Sequence, residues 1–158
     1  MIKNLKILKY ILLLSIFHFP FSIVPVFAAD VFVLPESNDL AAGEFYEAKI
    51  FLSSSETVNA IEGKILFSEN NLNIEDVKSG NSIINLWIEK PKKNEGGLIS
   101  FSGITPGGYI GKEGYLFTVI FKAGSADSGQ VELKDVAVLK NDGYGTPAKV
   151  ELKHSVYK

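Results

Sequence analysis

The side chains that could carry out catalysis are few and lie far apart. The 158-residue chain has two histidines and no cysteine, and His154 is the histidine that remains once the N-terminal leader described below is set aside. A hydrolase triad needs a base held beside its nucleophile, and the chain contains no G-x-S-x-G elbow. His154 shares its strand parity with Val150, Leu152 and Val156, so we interpret it as a packed or edge residue rather than a base. The sequence therefore predicts a protein that is not an enzyme.

Metal and carboxylate chemistry receive little support. Eighteen acidic residues are present, but none stands in a context that marks the carboxylate pair of a glycosidase. Zinc is disfavoured because the chain lacks cysteine and has too few histidines. Asn141-Asp142-Gly143 resembles part of a calcium loop but lacks its ligand spacing, so we interpret it as a turn between strands. We expect no cofactor and no metal.

Three aromatic residues are candidates for binding. Trp87 is the one tryptophan, and it lies opposite in parity to Ile84, Leu86 and Ile88. It is either a solvent-facing anchor for a partner or a residue that packs under the loop 91–97. Tyr109 and Tyr144 lie in glycine-rich segments, where we expect loop tyrosines with hydrated hydroxyls. The sequence leaves both interpretations of Trp87 open.

The elements that position these residues are β-strands. In Val58–Phe67, the side chains of Ile61, Ile65 and Phe67 share one parity with Gly63, which is typical of a strand with one buried face. A glycine on the buried parity suits close approach of a second sheet. About nine such short strands follow residue 29, with Ser53-Ser54-Ser55 expected to turn the chain between two of them and a kink expected near Asp135. This pattern predicts an all-β sandwich of two antiparallel sheets with Greek-key or jelly-roll connections.

The first 28 residues differ from the rest. Three lysines precede an apolar run, no acid occurs before Asp30, and small residues stand at Ala28 and Ala29. This pattern is typical of a secretory signal peptide cleaved after either alanine, although the run is also long enough for an uncleaved membrane anchor. We expect a signal peptide over 1–28 and one domain over 29–158. Without cysteine there is no lipidated N-terminus, and no C-terminal anchor is evident, so the prediction is a secreted, extracellular protein.

The charge of the mature domain excludes some partners. Loss of the leader removes three of the 16 lysines and none of the 18 acids, which leaves a formal charge of −5, and the chain has no arginine. Phosphate contacts require clustered cations, so we expect no nucleic acid. An acidic surface also disfavours anionic membranes, so no membrane contact is expected beyond the signal peptide. We expect a monomer.

The residues from Gly43 to Gly145 resemble the cohesin family. The matching segments occur in the family's order: GEFYEAKIFL, VNAIEGKILFSENNLNIEDV, LISFSG, GYLFTVIFKAG and VAVLKNDGYG. The resemblance, from Gly43 to Gly145, covers about four-fifths of the mature chain. The resemblance implies a nine-stranded jelly-roll that is not catalytic and binds dockerin modules, which are calcium-loaded helical partners in polysaccharide-degrading assemblies. Family 2 and family 3 carbohydrate-binding modules share this overall fold.

The resemblance also implies a binding face on the sheet that contains Val58–Phe67. Cohesins typically carry an outward asparagine on that strand and an aspartate two residues later, and here Ala60 and Glu62 occupy those places. Glu62 therefore preserves a carboxylate at the aspartate position, whereas Ala60 lacks the amide of the asparagine. We predict a partner-binding surface formed by Ala60, Glu62, Lys64, Asn85, Trp87, Glu89, Ser100 and Ser102.

Two alternatives remain at this point. The first is a carbohydrate-binding module, in which Trp87 with Asn85 and Glu89 would hold a soluble sugar or polysaccharide. Binding to a crystalline polymer is less expected, because the outward Phe45 and Phe51 would lie about 20 Å apart along one strand. The second is a structural surface domain of a longer protein.

We predict that the secreted protein begins near Ala29 and is a monomeric, strand-rich domain. Intact-mass measurement of the secreted chain, together with circular dichroism, checks this expectation. A chain that still carries Met1, or a spectrum dominated by helix, would contradict it.

Overall fold

The structure is a computed structural model that describes residues 28–94, 96–124 and 128–157. All regular elements in these ranges are strands. They are β1 (Ala29–Leu34), β2 (Ser37–Asn38), β3 (Phe45–Phe67), β4 (Leu72–Lys78), β5 (Leu86–Asn94), β6 (Leu98–Ala123), β7 (Gly129–Lys140), β8 (Val150–Lys153) and β9 (Ser155–Tyr157). The prediction of an all-β fold of nine strands is confirmed.

The strands form two facing layers because β3 and β6 each pass through both. In one layer, residues 45–54 of β3 pair with β1 and with the second half of β6, while β4 extends β6 and β8 extends β1. In the other layer, residues 58–67 of β3 pair with the first half of β6 and with β7, and β5 extends β6. The arrangement is a jelly-roll sandwich with its core between the layers.

The predicted turn at Ser53-Ser54-Ser55 is wrong, because β3 continues through this point. Its pairing with β6 shifts register repeatedly between Ile50 and Ala60, which bends the strand from one layer into the other. Ser54 supports the bend by donating a hydrogen bond to the carbonyl oxygen of Ala28 at 3.1 Å. The glycine-rich part of β6 bends beside it, where Gly108 and Gly111 adopt positive φ. The two strands therefore form the corner of the sandwich together.

The buried parity predicted for the second half of β3 is confirmed. Ile61, Ile65 and Phe67 are buried in the core. Gly63 also faces inward, but the space beside it is filled from neighbouring strands rather than by a second sheet. A β carbon at Gly63 would lie 2.9 Å from ring atom Cζ of Phe101 and equally close to Val136. Because Ala60, Glu62 and Lys64 have the opposite parity, their side chains point to solvent.

The C-terminal strands close the sandwich. β8 lies parallel to β1, and β9 pairs with both β2 and β7. Ser155 is fully buried, and its hydroxyl forms hydrogen bonds with the Tyr46 hydroxyl and the Pro35 carbonyl oxygen. His154 Nδ1 accepts a hydrogen bond from the backbone N–H of Leu133 at 2.9 Å. His154 thus serves as an edge residue that satisfies a strand amide.

Of the predicted signal peptide, residues 1–27 lie outside the described residues. Described residue Ala29 is already part of β1 and is buried. No helix long and apolar enough to cross a bilayer occurs in residues 28–94, 96–124 and 128–157.

We predict that Phe117→Ala destabilises the fold by about 3–5 kcal/mol, because the ring is fully buried and its removal leaves a cavity. The Phe117 ring packs against Phe101 and Trp87, with centroid distances of 5.0 and 6.2 Å. Urea unfolding followed by fluorescence measures the change. Phe45→Ala is the matched control: this ring is 62% exposed, so we expect a loss of about 1 kcal/mol or less. Equal losses in the two variants would contradict the assigned core.

Candidate functional site

One outer surface of the sandwich brings most of the predicted binding residues together. We call it the front face: it is the solvent side of β5, the first half of β6, the second half of β3 and β7. The pairing places these strands in the order β7–β3–β6–β5. Of the eight predicted residues, six point outward on this face: Ala60, Glu62, Lys64, Glu89, Ser100 and Ser102.

The register of the four strands arranges the outward residues of the front face in three rows. Partners in an antiparallel sheet lie side by side, about 4.8 Å apart, and successive outward residues on a strand are about 7 Å apart. An apolar row consists of Leu139, Ala60, Ile104 and Leu86. An acidic row consists of Ala137, Glu62, Ser102 and Glu89. A lysine row consists of Lys134, Lys64, Ser100 and Lys92.

Trp87 faces inward and is partly buried, which favours its interpretation as a packed residue over that as an exposed anchor. It pairs with the inward Gly103, is partly buried and packs its ring edge-to-face on Phe117. Asn85 is exposed just before β5, where its backbone N–H donates to the Ile104 carbonyl oxygen at 3.2 Å.

The most exposed apolar side chains of the front face are Leu86 and Ile88, which the sequence pattern placed on the strand side opposite to Trp87. They are 55% and 68% exposed. Ile84 is buried as expected, but the segment before β5 is irregular, so its parity does not carry into the strand. The pairing then shifts register between Trp87 and Glu89 and again before Lys92. The alternation of residues in the sequence does not reveal that this nine-residue strand contains two bulges.

A polar hollow of about 240 Å³ lies at the centre of the front face, among residues of the acidic and lysine rows. At its rim, Lys64 Nζ lies 2.9 Å from Asp135 Oδ2. Asp135 has a positive φ of 50° at the bulge of β7, which confirms the predicted kink and turns its carboxylate toward Lys64. The hydrogen bond from Lys64 and the charge of that ammonium hold the pKa of Asp135 below its usual value.

The two carboxylates of the acidic row are unengaged. Among residues 28–94, 96–124 and 128–157, the carboxylates of Glu62 and Glu89 form no side-chain hydrogen bond and no ion pair. Both line the hollow, on either side of Ser102. By contrast, Ser100 accepts a hydrogen bond from Asn94 Nδ2 at 2.8 Å. Lys92 and Lys134 of the lysine row likewise form no ion pair within the described residues, so the unpaired charges of the front face are of both signs.

The other candidate sites contain no assembled chemistry. Asp142 accepts a hydrogen bond from the Tyr144 N–H at 2.9 Å, so the 141–143 segment is a turn, and Tyr144 is 91% exposed. Tyr109 is half-buried beside Gly114, and this burial raises the pKa of its hydroxyl. In the part of the chain that the structure describes, no three His, Asp or Glu side chains converge as metal ligands.

Comparison with known proteins identifies the fold. No protein-family model and no curated protein matches the chain. A non-cellulosomal cohesin from the archaeon Archaeoglobus fulgidus matches with a TM-score of 0.67 and 19% identity over 82% of this chain and 88% of that one. The seventh ScaB type I cohesin of Pseudobacteroides cellulosolvens gives 0.66 and 20% over 84% and 92%. A type I cohesin–dockerin complex of Clostridium thermocellum gives 0.66 and 14% over 85% and 94%. The chain therefore has the fold of cohesin modules.

We predict that Lys64→Met raises the pKa of Asp135 toward its ordinary value, because the hydrogen bond and the nearby positive charge are lost. A folded-state pKa below the unfolded one stabilises the fold at pH values above the unfolded pKa. This contribution disappears as the pH falls through the folded pKa. Carbon-detected NMR titration of the carboxyl group measures the shift.

Lys134→Met is the control for this titration. Lys134 acts on Asp135 only through its charge and more weakly than Lys64 does, so its removal should raise the pKa less. An Asp135 pKa that is unchanged in Lys64→Met would contradict the assigned ion pair.

Proposed function

We propose that this chain is a non-catalytic binding module that docks a dockerin-like protein on the front face. The observation that carries the proposal is the front face itself. Its four paired strands present an apolar row, an acidic row and a lysine row. The side chains of Leu86 and Ile88 are exposed, and the carboxylates of Glu62 and Glu89 have no partner among the described residues. Interface centres combine apolar anchors with a polar rim in this way. Several solved cohesins that this chain resembles are in complexes with dockerins.

The structure modifies the predicted binding surface in two places. Trp87 leaves the set because its ring packs inward, and Leu86 and Ile88 take over as the large apolar groups. The other front-face residues of the set remain part of the proposal. Exposed apolar side chains gain free energy when a partner buries them, at about 25 cal/mol per Å². We therefore assign the affinity mainly to the apolar row and Ile88.

The setting of this activity is also part of the proposal. The leader over 1–28 supports export, and the cohesin fold supports a role in an extracellular assembly, such as one that degrades polysaccharide or is displayed on a cell surface. The structure supports direct sugar binding less than the sequence alone did. Trp87 and Glu89 lie on opposite sides of β5, so they do not form one sugar subsite with Asn85. Phe51 packs between Phe32 and Tyr115, with centroid distances of 5.6 and 5.8 Å.

We predict that at least one dockerin-like module encoded in the same genome binds the mature domain, and that Leu86→Asp weakens this binding at least tenfold, or about 1.4 kcal/mol. A buried aspartate would replace an apolar contact and remain without a partner. Isothermal titration calorimetry with the calcium-loaded module measures the affinity.

Ile110→Asp provides the control for Leu86→Asp. Ile110 is 59% exposed but lies at the corner of the sandwich, away from the front face. We expect the Ile110→Asp variant to bind the dockerin-like module with the same affinity as the unmodified domain. Absence of any dockerin binder, or equal affinities for Leu86→Asp and the unmodified domain, would contradict the proposal.

A further inference from the structure

We propose that two copies of the domain pair back to back, through the outer surface of the layer that does not contain the front face. We call this surface the back face: it is the solvent side of β8, β1, residues 45–54 of β3, the second half of β6 and β4. The order of its rows makes the back face complementary to itself in one orientation. The pairing does not depend on what the front face binds.

The register of these strands arranges the outward residues of the back face in four rows, about 7 Å apart along the strands. An aromatic row consists of Lys153, Phe32, Phe51 and Tyr115. A back lysine row consists of Leu34, Lys49, Thr118 and Lys78. A back acid row consists of Glu47, Ile120 and Asp76. A Phe45 row consists of Phe45, Lys122 and Asn73.

The aromatic surface of the back face lies at its two ends. In the aromatic row, Phe51 stacks on Phe32 with ring centroids 5.6 Å apart and meets Tyr115 edge-to-face at 5.8 Å. In the Phe45 row, the exposed Phe45 ring has Lys122 Nζ 5.9 Å from its centroid. Rings that remain partly exposed gain free energy when a second surface buries them.

The back face is electrically neutral, although the mature domain carries a formal charge of −5. In the four rows, together with Asp30 and Glu151 beside Lys153, four lysines balance four acids. These residues are Lys49, Lys78, Lys122, Lys153, Asp30, Glu47, Asp76 and Glu151. Two copies therefore repel each other less through this surface than through the rest of the acidic domain.

Charge selects the orientation of the second copy. A two-fold axis in the interface, perpendicular to the strands and level with Ala48, places Lys49 of each copy opposite Glu47 of the other. The same axis places Lys78 of each copy opposite Asp76 of the other. An axis parallel to β3 would instead place Lys49 on Lys49 and Glu47 on Glu47, where like charges repel. The perpendicular axis therefore gives the favourable pairing.

The same orientation matches the aromatic ends. Phe51 lies three residues to one side of Ala48 and Phe45 lies three residues to the other, so the ring of each faces the other in the second copy. Tyr115 likewise comes opposite Lys122, which brings an ammonium group to a tyrosine ring. Each of these contacts occurs twice, because the two-fold axis repeats it.

The charges of the back lysine and back acid rows are available for this pairing. Within the described residues, Lys78 and Asp76 form no ion pair, although Asp76 Oδ1 accepts a hydrogen bond from the Val77 N–H at 2.8 Å. Lys49 Nζ lies 3.5 Å from Glu47 Oε2 in an exposed pair. Exposed pairs contribute little to stability, so this one is readily exchanged for two pairs between copies.

The size of the overlap makes the dimer weak. The four rows extend about 20 Å along the strands and about 20 Å across them, which with side chains amounts to about 600 Å² on each copy. A total of about 1,200 Å² is at the low end for specific interfaces. We expect a dissociation constant of about 10–100 µM. The monomer predicted from the sequence is then the state at lower concentrations.

Back-to-back pairing leaves both front faces exposed, because each front face belongs to the opposite layer of its domain. The dimer would therefore be bivalent and would bind more tightly to a surface that carries several partners. This consequence rests on the proposed function, whereas the pairing itself does not.

Sedimentation velocity of the mature domain between about 5 and about 500 µM tests the pairing, and we expect a shift from monomer to dimer over this range. Lys49→Glu puts like charges opposite each other twice per dimer and should weaken association about tenfold or more. Glu47→Lys should do the same with the opposite sign. The double variant Lys49→Glu/Glu47→Lys restores opposite charges and should associate as the unmodified domain does.

Matched controls carry the same charge changes on the front face. Lys134→Glu and Glu62→Lys alter exposed residues of that face and should leave association unchanged. In addition, an equimolar mixture of Lys49→Glu and Glu47→Lys should form a heterodimer, although neither variant associates well alone. Circular dichroism of each variant verifies that the fold is retained.

A domain that stays monomeric up to about 500 µM would overturn the pairing. Association that both single variants retain would place the contact elsewhere and would overturn it too, as would a folded double variant that fails to recover association. Loss in the single variants, with recovery in the double variant and in the mixture, supports it. Because no dockerin-like module takes part, a failure of the proposed function would appear only in the calorimetric experiment.

Discussion

The pairing of β3 with β6 is the interaction on which the rest of the structure depends. These two strands run side by side from one layer of the sandwich into the other. Of the other strands, β1, β4, β5 and β7 each pair with β3 or β6, whereas β2, β8 and β9 do not. Their bends coincide, with Ser54 paired to Gly111 and Val58 paired to Tyr109. The ladder between them is interrupted on either side of these two pairs, and other strands and loops satisfy part of the backbone there: the Ser55 N–H donates to the Ala28 carbonyl oxygen, and the Thr57 carbonyl oxygen accepts from the Asn141 N–H.

The front face inherits its order from this pairing. A slip of one residue between β3 and β6 would exchange the outward Ala60 and Glu62 for the buried Ile61 and Gly63 and would dissolve all three rows. The core resists such a slip, because the Phe101 ring lies over Gly63 and packs on Phe117 at 5.0 Å. The chemical pattern of the surface is therefore held in place by apolar packing directly beneath it.

Periodicity was sufficient for the regular strands and failed where the backbone is irregular. From Ala60 to Phe67, β3 keeps strict alternation, so its inward and outward residues follow from the sequence, and six of the eight predicted binding residues lie on the front face. In β5, the irregular segment before the strand reverses the parity of Leu86, Trp87 and Ile88, and two register shifts follow Trp87. Their positions depend on which residue of β6 each one meets, and that long-range pairing leaves no local signal. The same limitation hid the corner in β3, where three serines imitate a turn.

The parallel pairing of β1 with β8 has a consequence for the order of folding. Ala29 is paired with Val150, some 120 residues later, while its other neighbour is Ser54 in β3. Contacts between such distant residues close late, because the loop entropy must be overcome before they form. A chain that is delivered from its N-terminus therefore holds β1 against β3 alone until β8 has emerged. Up to that moment the unpaired edge of β1 is open to any extended segment that comes near it, including the same segment of a neighbouring chain.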